Sequence, residues 1–399
     1  MHTIFSTILM TWLTIGVVST ISAWRYTWGL PRPEAPGRTP RAAVIVPIKN
    51  ASTLSREFLR RLRSQAYPDY RIIAAVETES DPAFSLLSES AREPGATIVT
   101  IVAGPVERGG QKVWNLLAAL AAIKADDEIV VFTDADTLPT PEWLARLVSA
   151  LTDAGYDAVT GYRWMIPTDG RLSSAIVAAA NASIVTLPRV PAIINLCWGG
   201  TTALRRETLE RIGVADYWRG AISDDLQMTR ALGAAGCAIF SPRQSLLLSP
   251  IAMDWREAFA FGRRQYRMVL IHAPRLWLFA ALVTLLPVVA ASLSVVLAFQ
   301  GQILAIAALA ISGVLGEFRF RCRRRIVRLL WPETDAAALA SYWRVERLLR
   351  PVWWCFHMTC IFAALGSRHI HWAGVNYLVR GPQDVEVIRR GAETQRSRS

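Results

Sequence analysis

From Leu276 to Phe299 the chain carries no charged residue, a run longer than the ~20 apolar residues that cross a bilayer. A soluble helix this apolar on every side would have no face to turn to water. Two further runs behave alike: Thr3 to Trp24 ahead of Arg25, and Ile303 to Gly316 after the polar turn Gln300-Gly301-Gln302. Together they predict an N-terminal transmembrane anchor over 1–30 and a transmembrane hairpin over 273–317, and they exclude a wholly soluble chain. A cleaved secretory signal fits the first run less well, because no basic segment precedes it.

Charge placement then sets the orientation. Arg25, Arg32, Arg38 and Arg41 follow the anchor, and basic residues beside a span mark the cytoplasmic side. The expectation is a multi-pass protein of the cytoplasmic (inner) membrane whose middle domain faces the cytosol. The net charge of +12, from 44 Lys and Arg against 32 Asp and Glu, also collects beside apolar segments. That distribution suits a membrane surface and not the basic stripe of a nucleic-acid binder. The five cysteines are scattered and form no C-x-x-C pair, so neither a zinc site nor a disulfide framework is expected.

The Pro-rich stretch Pro31–Pro36 opens a stiff linker over 31–41. Apolar and β-branched runs then recur at 42–50, Ile72–Val76, Thr97–Val102, Glu128–Thr133 and Asp157–Gly161, with helical patterns such as Lys112–Lys124 between them. Strands alternating with helices predict βαβ units and a mostly parallel sheet, covered on both faces, within a domain over 42–272. Past the hairpin, Glu317–Trp331 mixes a block of arginines with Phe, Ile, Leu and Trp. It reads equally as an interfacial helix on anionic lipid or as a juxtamembrane positive cluster. Pro351–Leu365 is apolar but short for a span, so 318–380 is expected to hold a basic interfacial helix and a re-entrant or membrane-associated segment. The last stretch, 381–399, is expected to be a disordered tail.

The sharpest chemical feature is Val130-Val131-Phe132-Thr133-Asp134-Ala135-Asp136, two carboxylates at the C-terminal end of a buried strand. Ligands of open α/β sheets bind there, and two such oxygens can share a hard divalent cation that bridges a diphosphate. A second pair, Asp224-Asp225 after Ser223, opens a helical pattern, where one carboxylate can cap while the other points into a cleft. Phe261–Arg267 supplies Arg263, Arg264 and Arg267, either as a juxtamembrane cluster or as forks for a leaving diphosphate. Gly199-Gly200 permits close backbone approach to a ligand. Gly109-Gly110-Gln111-Lys112 offers a helix start and a lysine for phosphate, without the full P-loop spacing. The histidines make no H-E-x-x-H pair, so no His-based metal site or triad is expected.

In order and spacing these pieces resemble the family 2 and family 21 glycosyltransferases of the ceramide glucosyltransferase-like kind, including the hopanoid-associated members. The resemblance covers about residues 40–275 and, less closely, the membrane tail. Val46-Pro47-Ile48-Lys49-Asn50 matches the family's V-P-x-x-N-like turn, and Asp81-Pro82-Ala83 its D-P-A triplet. Lys112-Val113-Trp114-Asn115-Leu116 matches K-V-x-N-L, and Trp372-Ala373-Gly374-Val375-Asn376-Tyr377 matches W-x-G-x-x-Y. Two positions depart. Glu77, Thr78 and Glu79 occupy the stretch where the family has a nucleobase-contacting Asp, which Glu77 or Glu79 replaces, and Met268 stands where (Q/R)-x-x-R-W has Trp.

The resemblance implies a GT-A-like α/β fold, a mostly parallel Rossmann-type sheet with an N-terminal transmembrane anchor and C-terminal transmembrane or interfacial helices. It implies a membrane-bound inverting transfer from a nucleotide-sugar donor, a UDP-sugar, to a lipid hydroxyl acceptor. In that scheme Asp136 and Asp134 hold Mg²⁺ or Mn²⁺, and Pro47, Glu77, Lys112, Gly199 and Gly200 line the donor. Asp225 is the general base beside Asp224, and Arg264 and Arg267 stabilise the leaving diphosphate. A processive polysaccharide synthase shares this soluble chemistry, but needs Trp in place of Met268 and enough helices for a channel. A membrane-bound nucleotide-sugar binder without catalysis is the alternative from another class. The sequence does not name the sugar, the acceptor lipid or an oligomeric state.

Overall fold

A computed structural model describes residues 2–30, 37–187, 190–334 and 339–388. The Pro31–Pro36 stretch and the residues from Arg389 onward, expected as part of the linker and of the tail, lie outside the described residues. The chain opens with α1 (His2–Trp28), then runs β1 (Ala42–Pro47), α2 (Thr53–Arg63), β2 (Tyr70–Val76), α3 (Pro82–Ser90), β3 (Thr97–Val102), α4 (Gln111–Leu120) and β4 (Ile129–Thr133). It continues through α5 (Trp143–Thr152), β5 (Ala158–Gly161), β6 (Arg163–Pro167), α6 (Leu172–Val185), β7 (Thr201–Arg205), α7 (Arg206–Arg211), α8 (Val214–Trp218) and α9 (Asp224–Ala234). Next come β8 (Ile239–Phe240), β9 (Leu247–Ile251), α10 (Trp255–His272), α11 (Pro274–Phe299), α12 (Ile303–Leu330), α13 (Ala340–Leu348) and α14 (Arg350–Ala363). Three strands close the described chain: β10 (His369–Trp372), β11 (Val375–Gly381) and β12 (Asp384–Ile388).

The main sheet has seven strands in the order β3-β2-β1-β4-β7-β5-β8. β1 through β4 are mutually parallel, and β7 runs antiparallel between β4 and β5. The strands of its centre are continuous apolar runs because helices cover both faces. Phe58, Leu62, Trp143 and Leu147 pack on one face, and Val113, Leu116, Trp218 and Met228 on the other. The expected mostly parallel α/β architecture with apolar helices at both ends is the one found.

Local chemistry fixes the helix starts. Ser52 caps α2 by accepting from the Ser55 amide, and Asp81 caps α3 while also accepting from the Asn50 amide at 2.8 Å. Asp254 and Glu257 form a reciprocal capping box at the start of α10, which satisfies two amides a helix start leaves bare. A buried Arg71–Asp127 pair ties β2 to the turn before β4, with Nε donating at 3.0 Å.

Three helices are long and apolar enough to cross a membrane: Phe5–Trp28, Pro274–Phe299 and Ile303–Leu330. The structure departs from the expected layout beyond them. Glu317–Trp331 is not a separate element, because α12 continues unbroken from the apolar run into the arginine block. Its Phe320, Arg323, Ile326 and Val327 are buried, and Ile326 and Val327 pack in one core with Trp164 of β6, Ala178 of α6 and Tyr342 of α13. That buried face gives the basic segment a protein surface to lie on. The disordered tail expected from 381 onward is also corrected, since 381–388 belongs to the antiparallel sheet β10-β11-β12. Val385 and Val387 alternate with Asp384 and Glu386 there, a period-2 pattern too short to declare itself. This sheet docks on the main domain: Gly109 donates to Val385 O at 3.0 Å and Gln227 Nε2 to Pro382 O at 2.9 Å.

Candidate active site

The strand order turns back between β1 and β4, so their C-terminal ends diverge and leave the crevice in which such sheets bind ligands. Pro47 ends β1, and Asp134 follows the last residue of β4. Antiparallel β7 brings the Gly199-Gly200 turn alongside, where Gly200 O accepts from Thr133 Oγ1 at 3.1 Å. A Cβ on Gly200 would meet Arg163 Cγ at 2.6 Å and Gly161 O at 3.0 Å, so glycine alone lets the turn sit this close. A Cβ on Gly199 would lie 3.2 Å from Asp225 Oδ2 and 3.7 Å from Asp134 Oδ2, which places this turn between the two carboxylates.

Around the crevice stand Asp134, Asp136, Asp224 and Asp225, with Lys112, Arg163 and Arg264 among them. Lys112 Nζ bridges Asp134 at 2.7 Å and Asp224 at 2.8 Å. Arg163 Nη1 contacts both Asp136 oxygens, at 2.6 and 2.5 Å, and Asp134 at 3.8 Å. Enclosure pushes the Asp134 and Asp224 carboxyls above the usual range, more than Lys112 pulls them down. Enclosure acts the same way on Asp136, but Arg163 outweighs it and holds this carboxyl low. Burial works against the Lys112 charge, and the surrounding carboxylates override it and raise its pKa. Arg264, which makes no ion pair among the described residues, is pushed down to about 10 by burial and by Arg163.

Asp225 sits at the start of α9, where Ser223 is the cap. Its Oδ1 accepts from Ser223 Oγ at 2.5 Å and from the Leu226 amide at 2.8 Å, which fixes the carboxylate while Oδ2 faces Gly199. The functional split expected of this pair takes a different form: Ser223 caps, Asp224 pairs with Lys112, and Asp225 is oriented. Arg264 stacks over Trp372, with Cζ 5.0 Å from the ring centroid, so the W-x-G-x-x-Y segment reaches the crevice. Lys49 Nζ donates to Ala373 O at 3.0 Å and pairs with Glu77 at 3.4 Å.

Of the residues expected at the site, Pro47, Lys112, Asp134, Asp136, Gly199, Gly200, Asp224, Asp225 and Arg264 line one cavity. Two stand apart. Glu77 lies at the end of β2 against Lys49, while Arg267 turns into the fold, its Nη1 donating to Ala364 O at 2.6 Å. Arg267 therefore satisfies a carbonyl at the C-terminus of α14 and stands outside the cavity lining that holds the other expected site residues. Arg264 stands three residues earlier on nearly the same face of α10, yet it reaches Trp372 and the cavity while Arg267 reaches Ala364. Sequence reasoning missed Arg163, the bond from Ser223 to Asp225 and the place of Trp372. A basic residue opening the buried run Arg163-Trp164-Met165-Ile166 was the available signal for the first.

The cavity holds about 980 Å³ and does not end at the charged crevice. It continues past Tyr162, Phe261 and Trp353 to Trp12 and Gly16 of α1, Phe279 and Pro287 of α11 and Leu315 of α12. The carboxylates and the membrane helices thus share one space. Asp134 and Asp136 present hard oxygen donors to it, the type that Mg²⁺ or Mn²⁺ takes. Among the described residues no group of three or more metal-ligating side chains converges. The remaining positions would fall to phosphate oxygens and water, as is usual for Mg²⁺, so the donor set fits.

The chain is similar to two curated proteins, each an undecaprenyl-phosphate 4-deoxy-4-formamido-L-arabinose transferase. It is 31% identical over 122 residues to that of Enterobacter sp. (strain 638), covering 30% of this chain and 36% of the relative. It is 30% identical over 120 residues to that of Edwardsiella ictaluri (strain 93-146), covering 29% and 35%. The chain therefore spans about a third of the length of the curated relatives it matches. In fold it resembles the mannosyltransferase PcManGT from Pyrobaculum calidifontis, solved with GDP-Man and Mn²⁺. The TM-score is 0.51 at 23% identity, over 83% of this chain and 100% of that one, and the shared architecture is the GT-A type. The family model of glycosyl transferase family 21 matches residues 5–385, a span that takes in the crevice, the membrane helices and most of the last sheet together. With nearly the whole chain so matched, the protein belongs to glycosyl transferase family 21.

Proposed function

We propose that the protein is a membrane-bound inverting glycosyltransferase that moves one sugar from a UDP-sugar to a lipid hydroxyl. The observation that carries this reading is the single cavity joining the carboxylate crevice to α1, α11 and α12. A lipid can bring its head to Asp225 through that space while its chain stays among apolar helices. The similarity to transferases whose names specify an undecaprenyl-phosphate acceptor supports a lipid-linked partner.

Asp225 acts as general base. Its Oδ1 is held by Ser223 and the Leu226 amide, which leaves Oδ2 to take the proton of the acceptor hydroxyl. The hydroxyl oxygen bonds to the anomeric carbon from the face opposite the nucleotide, and the bond to the diphosphate breaks with its electron pair on the leaving oxygen. No second carboxylate nucleophile is required, unlike a retaining glycosidase. Lys112, Arg163 and Arg264 offset the charge that develops on the nucleoside diphosphate. Asp134 and Asp136 would hold Mg²⁺ or Mn²⁺, which neutralises the diphosphate. Four carboxylates face three cations in the crevice, so a bound dication also offsets the charge the donor brings. Glu77 or Glu79 serves the nucleobase at the end of β2. The arginines after α1 support a reading in which this domain faces the cytosol at the inner membrane.

A single transfer is favoured over processive synthesis. Met268, at the position of the synthase Trp, is buried among Ile222, Leu226, Ile370 and Tyr377, and three helices qualify as spans among the described residues.

The test is reconstitution in lipid nanodiscs with Mg²⁺ or Mn²⁺, a panel of UDP-sugars and a polar lipid extract, following nucleotide release and lipid mass. A sugar increment on a lipid, absent in Asp225→Asn, is the expected result. An elongating water-soluble product would select the polysaccharide synthase, and binding without nucleotide release would overturn catalysis.

A further inference from the structure

The part of the cavity between the helices is not purely apolar. Arg319 and Arg323 of α12 and Arg350 at the start of α14 line it, with Glu346 as the acidic residue beside them. Arg323 pairs with Glu346 at 3.1 Å and donates through Nε to Thr186 Oγ1 at 3.1 Å. The other two make no ion pair among the described residues. Arg319 Nη1 donates to Gly16 O at 2.9 Å and Thr20 Oγ1 at 2.8 Å, and Arg350 Nη1 to Ser312 O at 3.3 Å. Three guanidinium groups thus share the cavity lining with one carboxylate, and the nearby Glu317, which also acts on Arg350, lies outside that lining and is paired with Arg321 and Arg347, so positive charge is in excess where α12 passes from its apolar run into its basic half.

Cations withdrawn from water at membrane depth are costly and mark a site by default. Arg319 and Arg323 are 8% and 4% exposed. The packing is shaped around the third group as well, since a Cβ on Gly316 would overlap the Arg350 guanidinium. Planar guanidinium forks match phosphate oxygens bidentately, and the neighbouring walls are the apolar faces of α1 and α11.

We propose that Arg319, Arg323 and Arg350 form a subsite for the phosphate group of a membrane lipid whose chain lies against α1 and α11, which makes the acceptor an acidic lipid. The inference rests on the transferase reading for the word acceptor, and on the cavity alone for the phosphate. The lipid is the source of the anion because the site opens onto the spanning helices, and soluble phosphate is an arm of the test.

Full-length protein is placed in phosphatidylcholine nanodiscs doped with phosphatidic acid or with diacylglycerol of the same chains, and retained lipid is read by native mass spectrometry. Wild type is expected to retain phosphatidic acid over diacylglycerol, and Arg319→Gln with Arg350→Gln to lower that preference on the order of ten-fold per guanidinium. Gly316→Ala, which displaces Arg350 without removing charge, gives a second route to the same loss if the double variant folds poorly. Asp225→Asn is expected to retain phosphatidic acid unchanged. Equal retention of the two lipids overturns the subsite, and complete displacement by inorganic phosphate overturns its assignment to a lipid. Nucleotide release is then measured with acidic and neutral fractions of a lipid extract. Release with the acidic fraction, with acceptor KM raised in the double variant, is expected. Release with the neutral fraction alone overturns the acidic acceptor and leaves the transferase standing, whereas retention without release from either fraction defeats the transferase and leaves the subsite standing.

Discussion

Arg163 grips Asp136 through both carboxylate oxygens, at 2.6 and 2.5 Å, although 27 residues separate them in sequence. The pair holds ionised a carboxylate that enclosure in the cavity would otherwise shift toward its protonated form. Arg163 keeps the Asp136 pKa down against the effect of enclosure, so Arg163→Gln raises it. Activity that needs ionised Asp136 then fails at higher pH than in wild type. The acid limb of kcat/KM against pH is expected to move up, and an unmoved limb would remove Arg163 from the ionisation of this site.

Asp225→Asn keeps the shape of the residue and its contact with the Leu226 amide but removes the proton acceptor. Transfer is expected to fall by about 10²–10⁴-fold, the range for a lost general base, while metal-dependent donor binding is retained. Isothermal titration beside the turnover assay separates the two. Transfer at the wild-type rate would exclude Asp225 as the base.

Asp136→Ala is expected to act earlier in the cycle. It removes one of the two oxygen donors that face the cavity, so donor binding in the presence of Mg²⁺ or Mn²⁺ weakens while binding without metal changes little. A titration with and without chelator checks this, and equal weakening in both would show that the carboxylate does not serve the ion.

Trp372→Ala strips the ring over which Arg264 lies at 5.0 Å. A partly desolvated cation–π contact contributes about 0.5–2 kcal/mol, so kcat/KM is expected to fall by roughly 2–30-fold, with Trp372→Phe recovering most of it. Equal loss in the two variants would point away from the ring face.

Asp127 is fully buried against Arg71. Burial opposes its charge, and the hydrogen bond from Arg71 prevails and lowers its pKa. A lowered carboxyl contributes stability that is present above the ordinary Asp value of about 4 and is lost as pH falls through the folded value. Asp127→Ala leaves the arginine unpaired in the interior and is expected to cost about 3–5 kcal/mol, read by thermal unfolding in nanodiscs. Arg71→Met with Asp127→Leu should restore much of that, since it removes both buried charges.

The sequence by itself determined the membrane segments, the strands β1 to β5 and the positions of Asp134, Asp136, Asp224 and Asp225. Each is a local signal: an uninterrupted apolar run, a β-branched stretch between helical patterns, a carboxylate pair at a strand end or helix start. Tertiary structure alone decided what those carboxylates meet. Lys112 reaches Asp224 across 112 residues, and Arg163 reaches Asp136 from β6, and no local pattern encodes either approach. It also decided that Arg267 serves the end of α14 while Arg264, three residues before it, faces the cavity. A helix turns about 100° per residue, so a spacing names neighbours on a face but not what that face will pack against. The same limit hid the course of Glu317–Trp331, whose arginines look alike in sequence. Only the packing of α1, α11 and α13 against α12 distinguishes the buried Arg319 and Arg323 from the exposed Arg321 and Arg328.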